Sequence, residues 1–370
     1  MRKNEGGGSV VWGLSQVRQV GRSAVRPVVR PAFRAWLVLA ALSIFPGVAA
    51  AESASSIPNM MRPEATPAHQ IFSLTLFVLL ITGAIFAVVA GLLTVAIIRF
   101  RSRNSGTTIE PPQIYGSTQV ELAWTVVPVL IVAVLFLTTA RIIFAIQDAP
   151  KPKNALDVTV VGHQFWWEFR YPALGIVTAN ELHVPVSPVD HPQPTFLKLL
   201  SADVIHSFWV PRLAGKTDLI PNHVNTMWID PHKPGLYLGQ CAQFCGAQHA
   251  MMLLRVYVDT PTEYAAWVRN QQKPAAQDPT VAAGRTVFET QACMNCHRIA
   301  GTAATGTFGP DLTHLMSRST IASGATTNTP EHLREWIKDP AHYKDGALMP
   351  AMQLSDQQLD QVTAYLATLK

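Results

Sequence analysis

Cysteine is scarce in this 370-residue chain, with four residues in two close pairs, Cys241/Cys245 and Cys293/Cys296. Each pair lies in a cofactor-like motif, so none is left for a structural disulfide framework. Charge is sparse too, at 14% Asp, Glu, Lys and Arg, and it is unevenly placed. The formal charge of +5 comes from residues 1–51, where Arg2, Lys3, Arg18, Arg22, Arg26, Arg30 and Arg34 outnumber one acid, Glu5. The rest holds 22 basic and 23 acidic residues and is near neutral. Nothing in it suggests nucleic-acid binding, which needs a basic patch.

What is present is long apolar sequence and short β-like runs. Residues 1–34 are a basic leader, 35–45 are an apolar run of signal-peptide length, and Val48-Ala-Ala-Ala51 offers a small-residue cleavage site before Glu52. An exported protein with a signal segment at 1–51 is expected, against the alternative of an extra anchor that the run is short to provide. The segment 52–147 then carries two spans, at about 71–98 and 120–145, each apolar enough to cross a bilayer. Arg99, Arg101 and Arg103 follow the first span and place that end in the cytoplasm. The second span returns the chain to the outer face, so a bacterial inner-membrane protein with its later domains outside is expected.

From 154 to 260 the pattern turns β, with strand-like runs at 158–161, 195–200, 236–238 and 253–258. Short strands over about a hundred residues suggest a sandwich or barrel. Between the last two runs lies Cys241-Ala-Gln-Phe-Cys245-Gly-Ala-Gln-His249-Ala-Met-Met252. Two thiols, an imidazole and a thioether in one loop suit a soft metal, and the set leans towards copper. A disulfide, a Cys/His zinc site and a pair of buried thiols stay open from spacing alone. A two-copper site needs a second imidazole, and His206 in Asp203-Val-Ile-His206-Ser-Phe-Trp-Val-Pro211 supplies a candidate.

A linker at 261–279 leads to an Ala-rich helical stretch at 280–370. Ser355 with Gln358 marks a capping box before its last helix, whose apolar stripe is Leu359, Val362, Leu366 and Leu369. Cys293-Met-Asn-Cys296-His297 is the C-x-x-C-H signature of covalent c-type haem. Such haems usually take Met as the second axial ligand. Met349 in Leu-Met-Pro is the preferred candidate, and Met352 competes. Gly309-Pro-Asp-Leu312 is expected to hold the His297 ring through a backbone carbonyl, and His314 and His342 to be structural or surface residues.

Taken together, the chain resembles subunit II of the haem–copper cytochrome c oxidases, of the subtype with a fused C-terminal cytochrome c domain. The resemblance runs from 65 to 370. It rests on the span hairpin, Glu121-Leu-Ala-Trp124-Thr-Val-Val-Pro128, Gly162-His-Gln-Phe-Trp-Trp-Glu-Phe-Arg-Tyr171, the His206 segment, the copper loop and the haem motif. It implies a multidomain membrane protein with a two-helix transmembrane hairpin, a cupredoxin-like β-barrel or sandwich, and an all-α class I cytochrome c domain. It also implies a dinuclear copper (CuA) centre held by His206, Cys241, Cys245, His249, Met252 and the Gln243 carbonyl. Covalent haem c would be held by Cys293, Cys296, His297 and Met349. Electrons would pass from a reduced cytochrome c or a quinol-oxidising complex to the haem, then to copper and on to subunit I. Subunit III would accompany subunit I, where oxygen becomes water with proton translocation.

Three further expectations come from the resemblance. Many relatives have Glu where Gln243 stands, reaching a magnesium shared with subunit I, and the neutral Gln puts that contact in doubt. Phe165 stands where relatives that receive electrons from a soluble donor often have Trp, which implies a different entry route for a tethered haem; Phe165, Trp166 and Trp167 are the candidate electron-path aromatics. Glu121 lies at the mouth of a proton pathway in the family, while a helix-start acid is the bland reading. The rival functions are the equivalent subunit of a copper-containing nitric oxide reductase, a membrane-anchored copper chaperone and a quinol-oxidising subunit.

Overall fold

The computed structural model describes residues 58–101, 113, 115–149, 151–153 and 155–370. The leader expected at 1–51, Arg103 and Pro150 lie outside them. Two helices, α1 (Thr66–Arg99) and α2 (Thr118–Gln147), are long and apolar enough to cross a membrane, and each outruns its expected span by a few residues. Their apolar side chains are mostly exposed, among them Leu80, Phe86, Leu92, Val132 and Phe136. A helix exposed and apolar all round suits a lipid or protein environment.

The ends of both helices are pinned to one region of the following domain. The Thr66 amide donates to Asp230 Oδ1 at 2.8 Å, which satisfies one of the orphan amides of the α1 start. Trp228 Nε1 donates to the Ile146 carbonyl at 2.7 Å near the α2 end. Arg212 pairs with Glu64 at 3.0 Å just ahead of α1.

That domain is a two-sheet β structure. Its strands are β1 (Leu156–His163), β2 (Trp166–Tyr171), β3 (Ile176–Ala179), β4 (Glu181–Pro185), β5 (Thr195–Ser201), β6 (His206–Trp209), β7 (Thr217–Leu219), β8 (Asn225–Ile229), β9 (Gly235–Cys241) and β10 (Leu253–Asp259). One sheet runs β3-β2-β1-β5-β8 and the other β4-β10-β9-β6-β7. The β1–β5 and β4–β10 pairs are parallel and their neighbours antiparallel. Alternate residues such as Val158, Val160, Leu197, Leu199, Val256 and Val258 point inward onto Trp167, Phe169 and Phe208.

The stretch expected as a linker begins with a helix, α3 (Pro261–Gln271). Thr260 and Glu263 form a capping box at its start, and Trp267 stacks on His183 with ring centroids 4.6 Å apart. α3 is therefore part of the β domain's packing. The C-terminal domain contains α4 (Ala282–Thr290), α5 (Cys293–Cys296), the two-residue strands β11 (Thr320–Ile321) and β12 (Thr326–Thr327), α6 (Pro330–Lys338), α7 (Pro340–Tyr343) and α8 (Asp356–Leu366). It is helical but for that small hairpin, and α8 has its capping box. Phe288, Leu333, Ile337, Leu359, Val362 and Leu366 make a second core, separate from the first.

Candidate metal and cofactor sites

The β6 and β9 strands pair Phe208 with Cys241, which brings His206 beside the end of β9. The chain then loops through Cys245 to a 3-10 turn, His249–Met251, and returns as β10. Cys241 Sγ lies 3.9 Å from Cys245 Sγ. His206 Nδ1 is 4.0 Å from Cys241 Sγ, while His249 Nδ1 is 3.8 Å from Cys245 Sγ. Met252 Sδ is 3.9 Å from Cys245 Sγ, and the Gln243 carbonyl accepts from Cys241 Sγ at 3.1 Å. The two thiols thus sit in the middle, with one imidazole at each end.

The electrostatics favour one thiolate over two. Cys241 is pushed well down, by hydrogen bonding with Cys245 foremost and with His206 as well. Cys245 is pushed up by its bond to Cys241 and by burial. Removing the second proton needs a compensating cation, as a bound metal provides. Asp203 Oδ1 meets His206 Nε2 at 2.7 Å and turns the other ring nitrogen towards Cys241. Burial pulls the imidazole down, but hydrogen bonds with Asp203 and Cys241 outweigh it, so His206 titrates above its usual range. Two buried thiols, the buried His206 imidazole, the half-buried His249 imidazole and a buried thioether make a donor set that fits copper.

The C-terminal domain holds a cavity of about 360 Å³. Cys293, Cys296 and His297 line one side, and Met349 and Met352 both line it too. The Nδ1–H of His297 donates to the Pro310 carbonyl at 2.8 Å, which leaves Nε2 for a ligand. Burial holds the ring below its usual range, so it stays neutral. Gly309 is required by this packing, because a Cβ there would stand 2.6 Å from His297 Cε1. His314 bridges the Lys370 and Lys273 carbonyls at 2.8 and 3.1 Å, a structural role, and His342 is exposed.

Sequence reasoning missed Arg318. It lines the cavity, is buried, and its Nε has no partner among the described residues. A buried cation with a free donor suits the carboxylates of a haem. The cavity, its thiols, its neutral imidazole and this orphan donor fit that group.

Phe165 and Trp166 line the same cavity from the β domain, together with Gln164 and Asn180. His163 stacks on Trp166 with centroids 4.2 Å apart and meets Glu168 at 3.0 Å. Trp167 is fully buried instead, edge-on to His206, and its Nε1 donates to the Met252 carbonyl at 3.5 Å. Glu121 stands in the first turn of α2, well away from both sites along the helix.

The family model described as cytochrome C oxidase subunit II, transmembrane domain, matches residues 54–142, and that of its periplasmic domain matches 186–258. The cytochrome c model matches 281–370. The chain is similar to cytochrome c oxidase subunit 2 of Alkalihalophilus pseudofirmus, at 33% identity over 83% of this chain and 90% of that protein. It is also similar to cytochrome c oxidase subunit 2 of Bacillus sp. strain PS3, at 32% identity over 73% of this chain and 80% of that one. Among solved structures, the periplasmic domain of subunit II of cytochrome oxidase of Bradyrhizobium japonicum is 29% identical with a TM-score of 0.31, covering 33% of this chain and 97% of that one. With its two apolar helices, two-sheet β domain and C-terminal cytochrome c domain in family order, the chain belongs to the cytochrome c oxidase subunit II family and is a component of that oxidoreductase complex.

Proposed function

We propose that this chain takes electrons from an external donor on a covalent haem c in the C-terminal cavity and passes them to a CuA centre in the Cys241–Met252 loop. From there they reach the haem–copper site of subunit I, where oxygen is reduced to water with proton translocation. The observation that carries the reading is the turn between β1 and β2. Phe165 and Trp166 form a wall of the cavity, and Gln164 Nε2 donates to the Cys245 carbonyl at 2.6 Å. One short segment thus touches both sites.

When bound, the haem and the copper pair supply one-electron redox chemistry. Cys293 and Cys296 would anchor the haem, and His297 and Met349 would hold its iron. Pro310 and Gly309 hold the His297 ring in one tautomer and one orientation. His206, Cys241, Cys245, His249, Met252 and the Gln243 carbonyl would hold copper, with Asp203 orienting His206. The loop also exposes Gln243 and Phe244, and these offer subunit I a contact surface. Gln243 brings an amide there and no charge, which weakens the case for a shared magnesium.

Absorption and EPR spectra of the intact protein test this reading. A c-type haem band that stays with the polypeptide on denaturation is expected, along with a mixed-valence two-copper signal. Failure to obtain both after metal and haem loading would sink it. Phe165→Ala is expected to slow internal haem-to-copper transfer in flash photolysis while both signals persist. Unchanged transfer would remove Phe165 from the path.

A further inference from the structure

The contact between the C-terminal domain and the β domain has a buried polar centre. Glu181, on the edge strand β4, is 2% exposed. Its carboxylate accepts the Ser319 amide at 3.0 Å, the Thr320 amide at 2.9 Å and the Thr320 hydroxyl at 2.9 Å, all from the C-terminal domain. Arg255, directly opposite Glu181 on β10, donates to the same Thr320 hydroxyl at 3.0 Å. A carboxylate taken out of water needs such donors, and hydrogen bonds to a charged acceptor are the strong kind.

The loop that follows is shaped to the β domain. Ala322 and Ser323 both have positive φ, at 53° and 58°, which non-glycine residues adopt only when surroundings impose it. Here the β domain imposes it, since Ser323 is buried and its hydroxyl donates to the Leu253 carbonyl of β10 at 2.8 Å. Tyr257 of β10 reaches Ser319 Oγ at 2.7 Å. On the far side of the cavity, buried Lys344 donates from Nζ to the Phe165 carbonyl at 3.0 Å. The Phe165 wall is therefore held from the C-terminal domain itself.

We propose that the C-terminal domain is not a mobile shuttle on its linker but is latched to the β domain. Glu181 receives the Ser319 and Thr320 amides, and the latch keeps the Gln164–Trp166 turn seated as a wall of the C-terminal cavity. The latch stands on protein contacts alone, and its part in electron relay rests on the function proposed above. Glu181 is a positioning residue in this scheme. Tethering alone gives a high effective concentration, whereas a latch also fixes orientation.

Hydrogen exchange on the intact protein in lipid nanodiscs, with haem and metal bound, tests the latch. Residues 318–327 are expected to be protected in the wild type. Glu181→Ala should raise their exchange about tenfold or more, the scale of losing hydrogen bonds to a charged acceptor. Glu181→Gln, which keeps one acceptor oxygen, should restore part of that protection, and Asp190→Ala on an exposed turn should change nothing in this segment. Free exchange of 318–327 in the wild type, or Glu181→Ala within twofold of it, overturns the latch. If Glu181→Ala fails to fold, spin labels on unnatural residues at Asp190 and Lys338 of an otherwise wild-type chain decide. One narrow distance distribution supports the latch, and a broad one overturns it. Both readouts are independent of the haem and copper spectra, so failure of the latch and failure of the functional reading are separable.

Discussion

Replacing Cys245 with alanine should abolish the mixed-valence copper signal and lower the copper content of the chain, while the haem band remains. The geometry makes Cys245 the node of the loop. Its sulfur lies within 3.9 Å of the Cys241 and Met252 sulfurs and 3.8 Å from His249 Nδ1. Of the other donors, the Cys241 sulfur meets His206 and the Gln243 carbonyl. Without Cys245, His249 and Met252 lose the sulfur that links them to the other half of the donor set. What stays joined on the other half is Cys241, His206 and the Gln243 carbonyl, one soft donor with an imidazole and a weak oxygen, too few for a closed soft-metal site. A mononuclear signal or none is the expected spectrum. The haem cavity should survive, because the two domains have separate cores. Metal analysis with EPR checks this, and two coppers retained with an unaltered spectrum would refute the assignment.

How much of this was legible in the sequence depends on whether the signal was local. The copper loop and C-x-x-C-H motif are short and carry their chemistry in adjacent residues. The α8 capping box and stripe were equally local. The short strands β6, β7 and β8 were not, since three to five residues leave too little alternation to read. The start of the 261–279 stretch reads as linker although Thr260-x-x-Glu263 announces a helix start, because its apolar set, Tyr264, Trp267 and Val268, is a single turn long and gives too little periodicity to read. Arg318 looks like any polar loop residue until its burial is seen. The bond from Gln164 to the Cys245 carbonyl spans 81 positions and belongs to the tertiary fold. Glu181 is likewise an unremarkable strand acid in sequence, and only its partners 138 and 139 positions away give it a role.

Gly284→Ala should destabilise the C-terminal domain, although helix propensity alone predicts the opposite sign. Glycine inside a helix such as α4 costs about 1 kcal/mol relative to alanine, so an open site would gain by the change. This site is closed. An alanine Cβ would stand 1.9 Å from the Gln361 carbonyl oxygen and 2.8 Å from Tyr365 Cβ, both on α8. The obstacle is backbone, so no rotamer change relieves it and the helices must separate. Overpacking of this kind costs about 1–3 kcal/mol or more, which exceeds the propensity gain. For a domain of this size the expected fall in Tm is about 5–15 °C. Function follows packing here, because Phe288 on α4 and Val362 and Leu366 on α8 line the cavity. Spreading the pair should loosen the seat of the haem and make its band melt earlier than in the wild type. The copper signal should outlast it, since Gly284 packs far from the His206–Cys245 cluster in a different core. Calorimetry followed at the haem band measures both effects, and a Tm within about 2 °C of wild type would contradict the close crossing of α4 and α8.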